Sequence, residues 1–129
     1  MSFMKISDLK VHYPIRGGFF NTVVDKVPAV DGITMEFEKG KAYGLVGESG
    51  CGKSTTGKSI IGLEKISSGS IFYEGENVTN KRRDRSSSYN RDIQMIFQDA
   101  NSSLNPRKRV KDIIAEPIRN FLNLTIDEE

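Results

Sequence analysis

The chain has 129 residues, a formal net charge of +2 and a single cysteine. That length holds one domain at most, the charge is too small to argue for nucleic acid or an anionic membrane surface as a partner, and one thiol excludes an internal disulfide and makes a cytosolic setting the expectation. No apolar run approaches the roughly 18 residues needed to cross a bilayer, and the opening Met1-Ser2-Phe3-Met4-Lys5 lacks the apolar core of a secretory leader.

In chain order, Ile6, Leu9, Val11 and Tyr13 give a roughly alternating apolar pattern that predicts a first strand over residues 6–14. Ile15-Arg16-Gly17-Gly18-Phe19-Phe20-Asn21 reads as a glycine-containing loop with two exposed aromatics. Val30, Ile33, Met35 and Phe37 predict a second strand over residues 27–37, closed by a turn at Gly40. Together these strands read as a hairpin-rich β region ahead of an α/β core. Lys41-Ala42-Tyr43-Gly44-Leu45-Val46 reads as a short buried strand, and residues 53–63 as a helix. Ser67-Ser68-Gly69-Ser70 reads as a turn, Ile71-Phe72-Tyr73 as a strand, and residues 74–77 as another turn. The polar run over residues 80–92 fits a solvated loop or helix face better than a phosphate contact. Ile93-Gln94-Met95-Ile96-Phe97 predicts a strand, followed by a turn-rich loop to Pro106. Ile113, Ile114, Ile118, Phe121 and Leu122 have helical spacing over residues 110–124, with Pro117 expected to kink or restart the helix.

The most specific feature lies between the predicted strand at 41–46 and the helix that follows. Gly47-Glu48-Ser49-Gly50-Cys51-Gly52-Lys53-Ser54-Thr55 fits the phosphate-loop pattern G-x-x-x-x-G-K-[ST], in the strand–loop–helix setting that gives the pattern its meaning. Glycines allow the backbone to approach phosphate oxygens closely, successive N–H groups form a nest for anions, and the helix start adds donors and positive potential. In such a loop Lys53 reaches the β- and γ-phosphates, Ser54 places its hydroxyl on Mg²⁺, and Thr55 supports the α-phosphate side. A nucleoside triphosphate and Mg²⁺ are therefore the expected ligands, with Gly47, Ser49, Gly50, Cys51 and Gly52 forming the rest of the cradle. Cys51 and Glu48 occupy variable positions of the pattern. Neither is expected to be catalytic, although a helix N-terminus can lower a thiol pKa and make Cys51 modifiable.

Further blocks make the chain resemble a known family. The phosphate loop followed by Ser68-Gly69-Ser70-Ile71-Phe72-Tyr73-Glu74-Gly75, and then by Ile93-Gln94-Met95-Ile96-Phe97-Gln98-Asp99, resembles the ATP-binding subunits of ABC transporters. Ser103-Leu104-Asn105-Pro106-Arg107 and the opening Tyr13-Pro14-Ile15-Arg16-Gly17-Gly18 resemble the oligopeptide and dipeptide importers within that family. The resemblance implies an α/β fold of the P-loop NTPase type, incomplete here. A β region would occupy residues 1–40, the phosphate-loop core residues 41–98, and the start of a helical subdomain residues 99–129. It also implies that Tyr13 stacks on adenine, a job suited to a flat ring, although a core tyrosine on an amphipathic strand remains the alternative for the residue itself. Gln98 matches the glutamine that reaches Mg²⁺ and the attacking water, where an amide can both accept and donate. His12 matches no family role and reads as a surface histidine. One departure is visible at Asp99-Ala100-Asn101, where the family commonly has a proline after the aspartate.

By the same resemblance, the partners are transmembrane permease subunits and a second ATPase subunit, on the cytoplasmic face of the cell membrane. Within residues 1–129 there is no Leu-Ser-Gly-Gly-Gln-like segment, no apolar run ending in Asp-Glu, and no histidine other than His12. Hydrolysis needs a positioned nucleophile as well as a phosphate cradle, so these residues alone are expected to bind ATP without turning it over. They are also expected to be marginally stable, with unpaired edges at residues 43–46 and 93–97. Two other readings stand beside the importer subunit: a short nucleotide-binding protein that modulates a transporter, or is defunct, and a different P-loop enzyme such as a small-molecule kinase.

Overall fold

The computed structural model describes residues 2–17, 21–83, 88–99 and 103–122. The expectations for Phe19, Phe20 and Leu124, and for the loop at Ala100-Asn101, fall outside the described residues. The chain divides into two compact units, Met1–Arg83 and Asp84–Glu129.

The first unit is built on a four-stranded antiparallel sheet of order β2-β1-β3-β4, from β1 (Met4–Gly17), β2 (Thr22–Phe37), β3 (Ser68–Tyr73) and β4 (Glu76–Asn77). The predicted hairpin forms and is longer than its apolar pattern, because β1 and β2 stay paired out to Gly17 and Thr22. β3 pairs with β1 only between Met4 and Lys10, so the far part of the hairpin extends beyond the sheet as a two-stranded arm. β3 also starts at Ser68, inside the segment read as a turn, and the short β4 falls in the second predicted turn.

The core face of β1 explains its imperfect alternation. Met4, Ile6, Leu9 and Val11 are all buried although Ile6 and Leu9 are three apart. A register shift between them places an extra residue at the Asp8 position, where the backbone turns to φ 46°. Such a bulge moves the side-chain phase by one, which keeps Leu9 inside and Asp8 out. Thr34 Oγ1 accepts the Asp8 N–H at 3.0 Å. Gly69 faces the bulge, and a Cβ there would lie 2.4 Å from the Asp8 carbonyl oxygen. Val30, Ile71 and Val78 complete this core.

α1 (Lys53–Ile60) packs its start against β2, and two of its hydroxyls are buried. Each satisfies itself on the preceding turn: Thr56 Oγ1 donates to the Gly52 carbonyl at 2.9 Å, and Ser59 Oγ to the Thr55 carbonyl at 2.8 Å. The polar run after β4 is mostly exposed, as expected, but not throughout. Arg82, in a 3₁₀ turn over Lys81–Arg83, is buried with Nη1 donating to the Thr79 carbonyl at 2.9 Å, and its own carbonyl lies against Gly62. Tyr89 is buried in α2 (Ser88–Asp92) of the second unit.

Two predicted strands do not form. Residues 41–46 and 93–97 belong to no strand of the sheet, and Val46 and Ile96 are 90% and 95% exposed. Their β-rich composition is that of strands buried on both faces. Such strands need lateral partners, and among the described residues no strand pairs with either. α3 (Val110–Leu122) runs through Pro117 as one helix, so of the expected kink or restart, the restart does not occur. No helix among the described residues is long and apolar enough to cross a membrane.

Candidate functional site

The phosphate-loop segment leads into α1, and its local geometry depends on three glycines. Gly52 sits at the helix N-cap with φ 91°, a left-handed conformation that side-chain-bearing residues adopt at a cost. A Cβ at this position would lie 2.3 Å from the Ala29 carbonyl of β2, so the backbone approach also requires glycine. Gly47 is restricted differently: a Cβ there would meet the Cys51 Sγ at 2.6 Å. Gly50 is also left-handed, with φ 81°, although an added Cβ there would meet nothing within 4 Å. A turn closes the loop, with the Cys51 N–H donating to the Glu48 carbonyl at 3.3 Å.

The helix supplies the donors. Its ladder begins with the Thr56 N–H on the Gly52 carbonyl at 2.8 Å, which leaves the N–H groups of residues 53–55 without an intrahelical acceptor. No side chain caps this end and no acidic residue lies in the first turn, while Lys58 lies in the last. The N-terminus of α1 therefore keeps its positive potential. Lys53 Nζ donates to the carbonyls of Gly47 and Glu48 at 2.7 and 2.6 Å, and lies 3.4 Å from Cys51 Sγ. The ammonium is thus folded back over the loop. Open space at Gly50, free helical donors and a cation over the loop fit a polyphosphate. Ser54 is exposed, and its hydroxyl is of the hard-oxygen class that Mg²⁺ prefers.

Tyr13 lies on β1 opposite Val27, in the arm, and is 41% exposed. Partial burial and the bond to the Glu64 carboxylate push its pKa above the ordinary tyrosine value, against a smaller downward effect from the Thr55 bond. The fold therefore brings Tyr13 and the loop residues 47–55 together in one unit. Gln98 lies in the other, where Phe97, Gln98, Asp99 and Ser103 line an open hollow of about 430 Å³. Ser103 Oγ donates to the Asp99 carbonyl at 2.9 Å there. His12 is half-buried, with Nε2 3.5 Å from Asp31 Oδ1, and its backbone N–H donates to Ser67 Oγ at 2.9 Å.

Sequence reasoning missed Ala29, whose carbonyl backs Gly52. It acts through a contact between distant segments, and no local spacing marks it.

Comparison with known proteins gives a consistent picture. The family model described as ABC transporter matches residues 30–128. The chain is 56% identical over 126 residues to the oligopeptide transport ATP-binding protein OppF of Lactococcus lactis subsp. lactis, covering 98% of this chain and 40% of that protein. It is 42% identical to the oligopeptide transport ATP-binding protein AppF of Bacillus subtilis, covering 97% of this chain and 38% of that one. Among solved structures, an ATP-binding cassette of an ABC transporter superposes with a TM-score of 0.50 at 27% identity, over 63% of this chain and 28% of its own. The chain thus spans about two-fifths of the length of the curated relatives it matches. With the phosphate loop at the head of α1 and a family match over most of its length, this chain belongs to the ABC transporter family, in the P-loop fold of its ATP-binding subunits.

Proposed function

We propose that residues 1–129 form part of the ATP-binding domain of a peptide-importer subunit, and that they hold the phosphates and base of ATP. The observation that carries this reading is the geometry of the loop. Gly52 takes its left-handed conformation against Ala29 at the helix start, the N–H groups of residues 53–55 have no intrahelical acceptor, and Lys53 Nζ folds back onto the carbonyls of Gly47 and Glu48. Lys53 exchanges its two carbonyl partners for β- and γ-phosphate oxygens, a favourable trade because a charged acceptor makes a stronger bond. Backbone donors of residues 47–52 contact the same oxygens, Thr55 supports the α-phosphate side, and Tyr13 stacks on adenine. Ser54 and Gln98 are the candidate ligands of Mg²⁺, which when bound neutralises charge on the phosphates and orients them.

In the complete protein, ATP binding and hydrolysis would drive transport through permease subunits at the cytoplasmic face of the membrane, with a second ATPase subunit completing each site. The oligopeptide transport names of the relatives support peptides as the cargo. The decisive measurement is equilibrium binding of radiolabelled ATP with Mg²⁺ to the wild-type and Lys53→Ala chains. Losing a charge-assisted contact of about 2–3 kcal/mol weakens binding by roughly thirtyfold or more. Equal affinity for both proteins would remove the phosphate loop from the site.

A further inference from the structure

β2 changes phase where it passes the phosphate loop. Val11 pairs with Val30, but the next residue of β1, His12, pairs with Pro28, so Ala29 is an extra residue on β2. It is Ala29 whose carbonyl backs Gly52, and the Val30 side chain faces the same glycine, with Cγ2 3.3 Å from where a Cβ would stand. The head of α1 therefore lies on the Val30 face of the hairpin. In a regular strand Val27, three residues from Val30, would turn to the opposite face. The bulge moves the phase by one. Val27 instead pairs with Tyr13, two residues on from Val11, and both return to the face that carries the loop.

That face changes character at this step. Val11 and Val30 are buried, whereas Tyr13 and Val27, the next pair on the same face, are 41% and 48% exposed. The Cβ atoms of directly opposed residues stand about 5 Å apart, so the phenol ring and the valine methyls form one apolar shelf, wider than a single ring. Along β2 the step from Ala29 to Val27 covers about 6–7 Å. This is comparable with the sugar that separates the α-phosphate of a nucleotide from its base.

We infer that Val27 is a specificity-determining residue for the base, widening the Tyr13 platform from one ring to two and so favouring purines over pyrimidines. This rests on the reading of Tyr13 as the base platform beside a phosphate-holding loop. Exposure alone does not mark Val27 out, since Val23 is 50% exposed. A second register shift, between Ile15 and Arg16, pairs Val23 with Arg16 and so places it on the other face of the arm. Val23 is therefore the control.

The test is equilibrium binding of ATP, CTP and inorganic tripolyphosphate to the whole chain and its variants. Val27→Thr keeps the branched shape of valine and sets a hydroxyl in the shelf. It is expected to weaken ATP binding about three- to fivefold, CTP binding by under about twofold, and tripolyphosphate binding not at all. Val27→Ile, which keeps the shelf apolar, holds ATP at least as tightly as wild type, and Val23→Thr changes no probe. Equal losses for ATP and tripolyphosphate would make Val27 a packing residue. Equal losses for ATP and CTP, or the same loss in Val23→Thr, would overturn the role in base width. Lys53→Ala and Tyr13→Ala separate the two levels. If both weaken ATP binding while Val27→Thr leaves it unchanged, the nucleotide site stands and the role of Val27 falls. If neither weakens it, the nucleotide site falls and the role of Val27 falls with it.

Discussion

At the scale of single residues, the site depends on backbone approach more than on side-chain chemistry. Gly52 has no room for a methyl group in front of the Ala29 carbonyl, and its φ of 91° disfavours any other residue. Gly52→Ala is therefore expected to cost about 2–4 kcal/mol, from left-handed strain plus displacement of β2, and to abolish ATP binding. Chemical denaturation and a binding titration on the same variant would check this, and wild-type stability would contradict it. Tyr13 is tested separately: Tyr13→Ala should weaken ATP binding and spare tripolyphosphate, whereas equal losses would make it a packing residue. Its raised pKa also has a sign. Burial and the Glu64 bond favour the neutral phenol in the folded state. The resulting contribution to stability is present below the ordinary tyrosine pKa of about 10 and is lost as pH rises through the folded value. Tyr13→Phe should flatten that alkaline decline in a series of denaturation curves.

At the scale of elements, what was legible in the sequence depended on whether the element's partner is local. The hairpin of β1 and β2 declared itself because its alternation and its turn lie in one stretch, and α1 because a loop pattern marks its start. The bulge at Asp8 was present as the three-residue step from Ile6 to Leu9, but reading it requires knowing that Gly69 makes room for the displaced carbonyl. Residues 41–46 and 93–97 have strand composition, yet composition supplies no ladder. α3 carries the opposite lesson, since Pro117 removes one N–H and the helix persists around it. Ion pairs gather at its start, Lys108 with Glu116 at 2.6 Å and Arg109 with Asp112 at 2.9 Å. Hydrogen bonds from these cations hold both carboxyls below their ordinary pKa, so their support is present above that range and fades as pH falls through it. Pro117 is exposed, and Pro117→Ala should raise the stability of this helix by up to about 3 kcal/mol. Circular dichroism on heating would show the gain; an unchanged melt would mean that the proline ring makes a compensating contact.

At the scale of the whole molecule, the two units share one problem, which is apolar surface in water. Val46, Leu45 and Tyr43 are exposed in the first unit, and Ile96 and Phe97 in the second. Runs of this composition with free backbone groups favour association between chains. Light scattering of the isolated chain should therefore rise with concentration, and Val46→Glu combined with Ile96→Lys should suppress the rise several-fold. A monomer unaffected by either change, melting sharply and reversibly, would contradict this. Ser67 meets the same hazard in a smaller way along the outer edge of β1. β3 ends its pairing at Lys10, and from there the strand would offer an open backbone. One serine covers the first step beyond that point, giving its N–H to Lys10 and taking the N–H of His12. The amide of His12 thus belongs to no ladder on that side, yet its deuterium uptake should keep time with the core of β1. Removing a single oxygen atom, in Ser67→Ala, would release that clock alone.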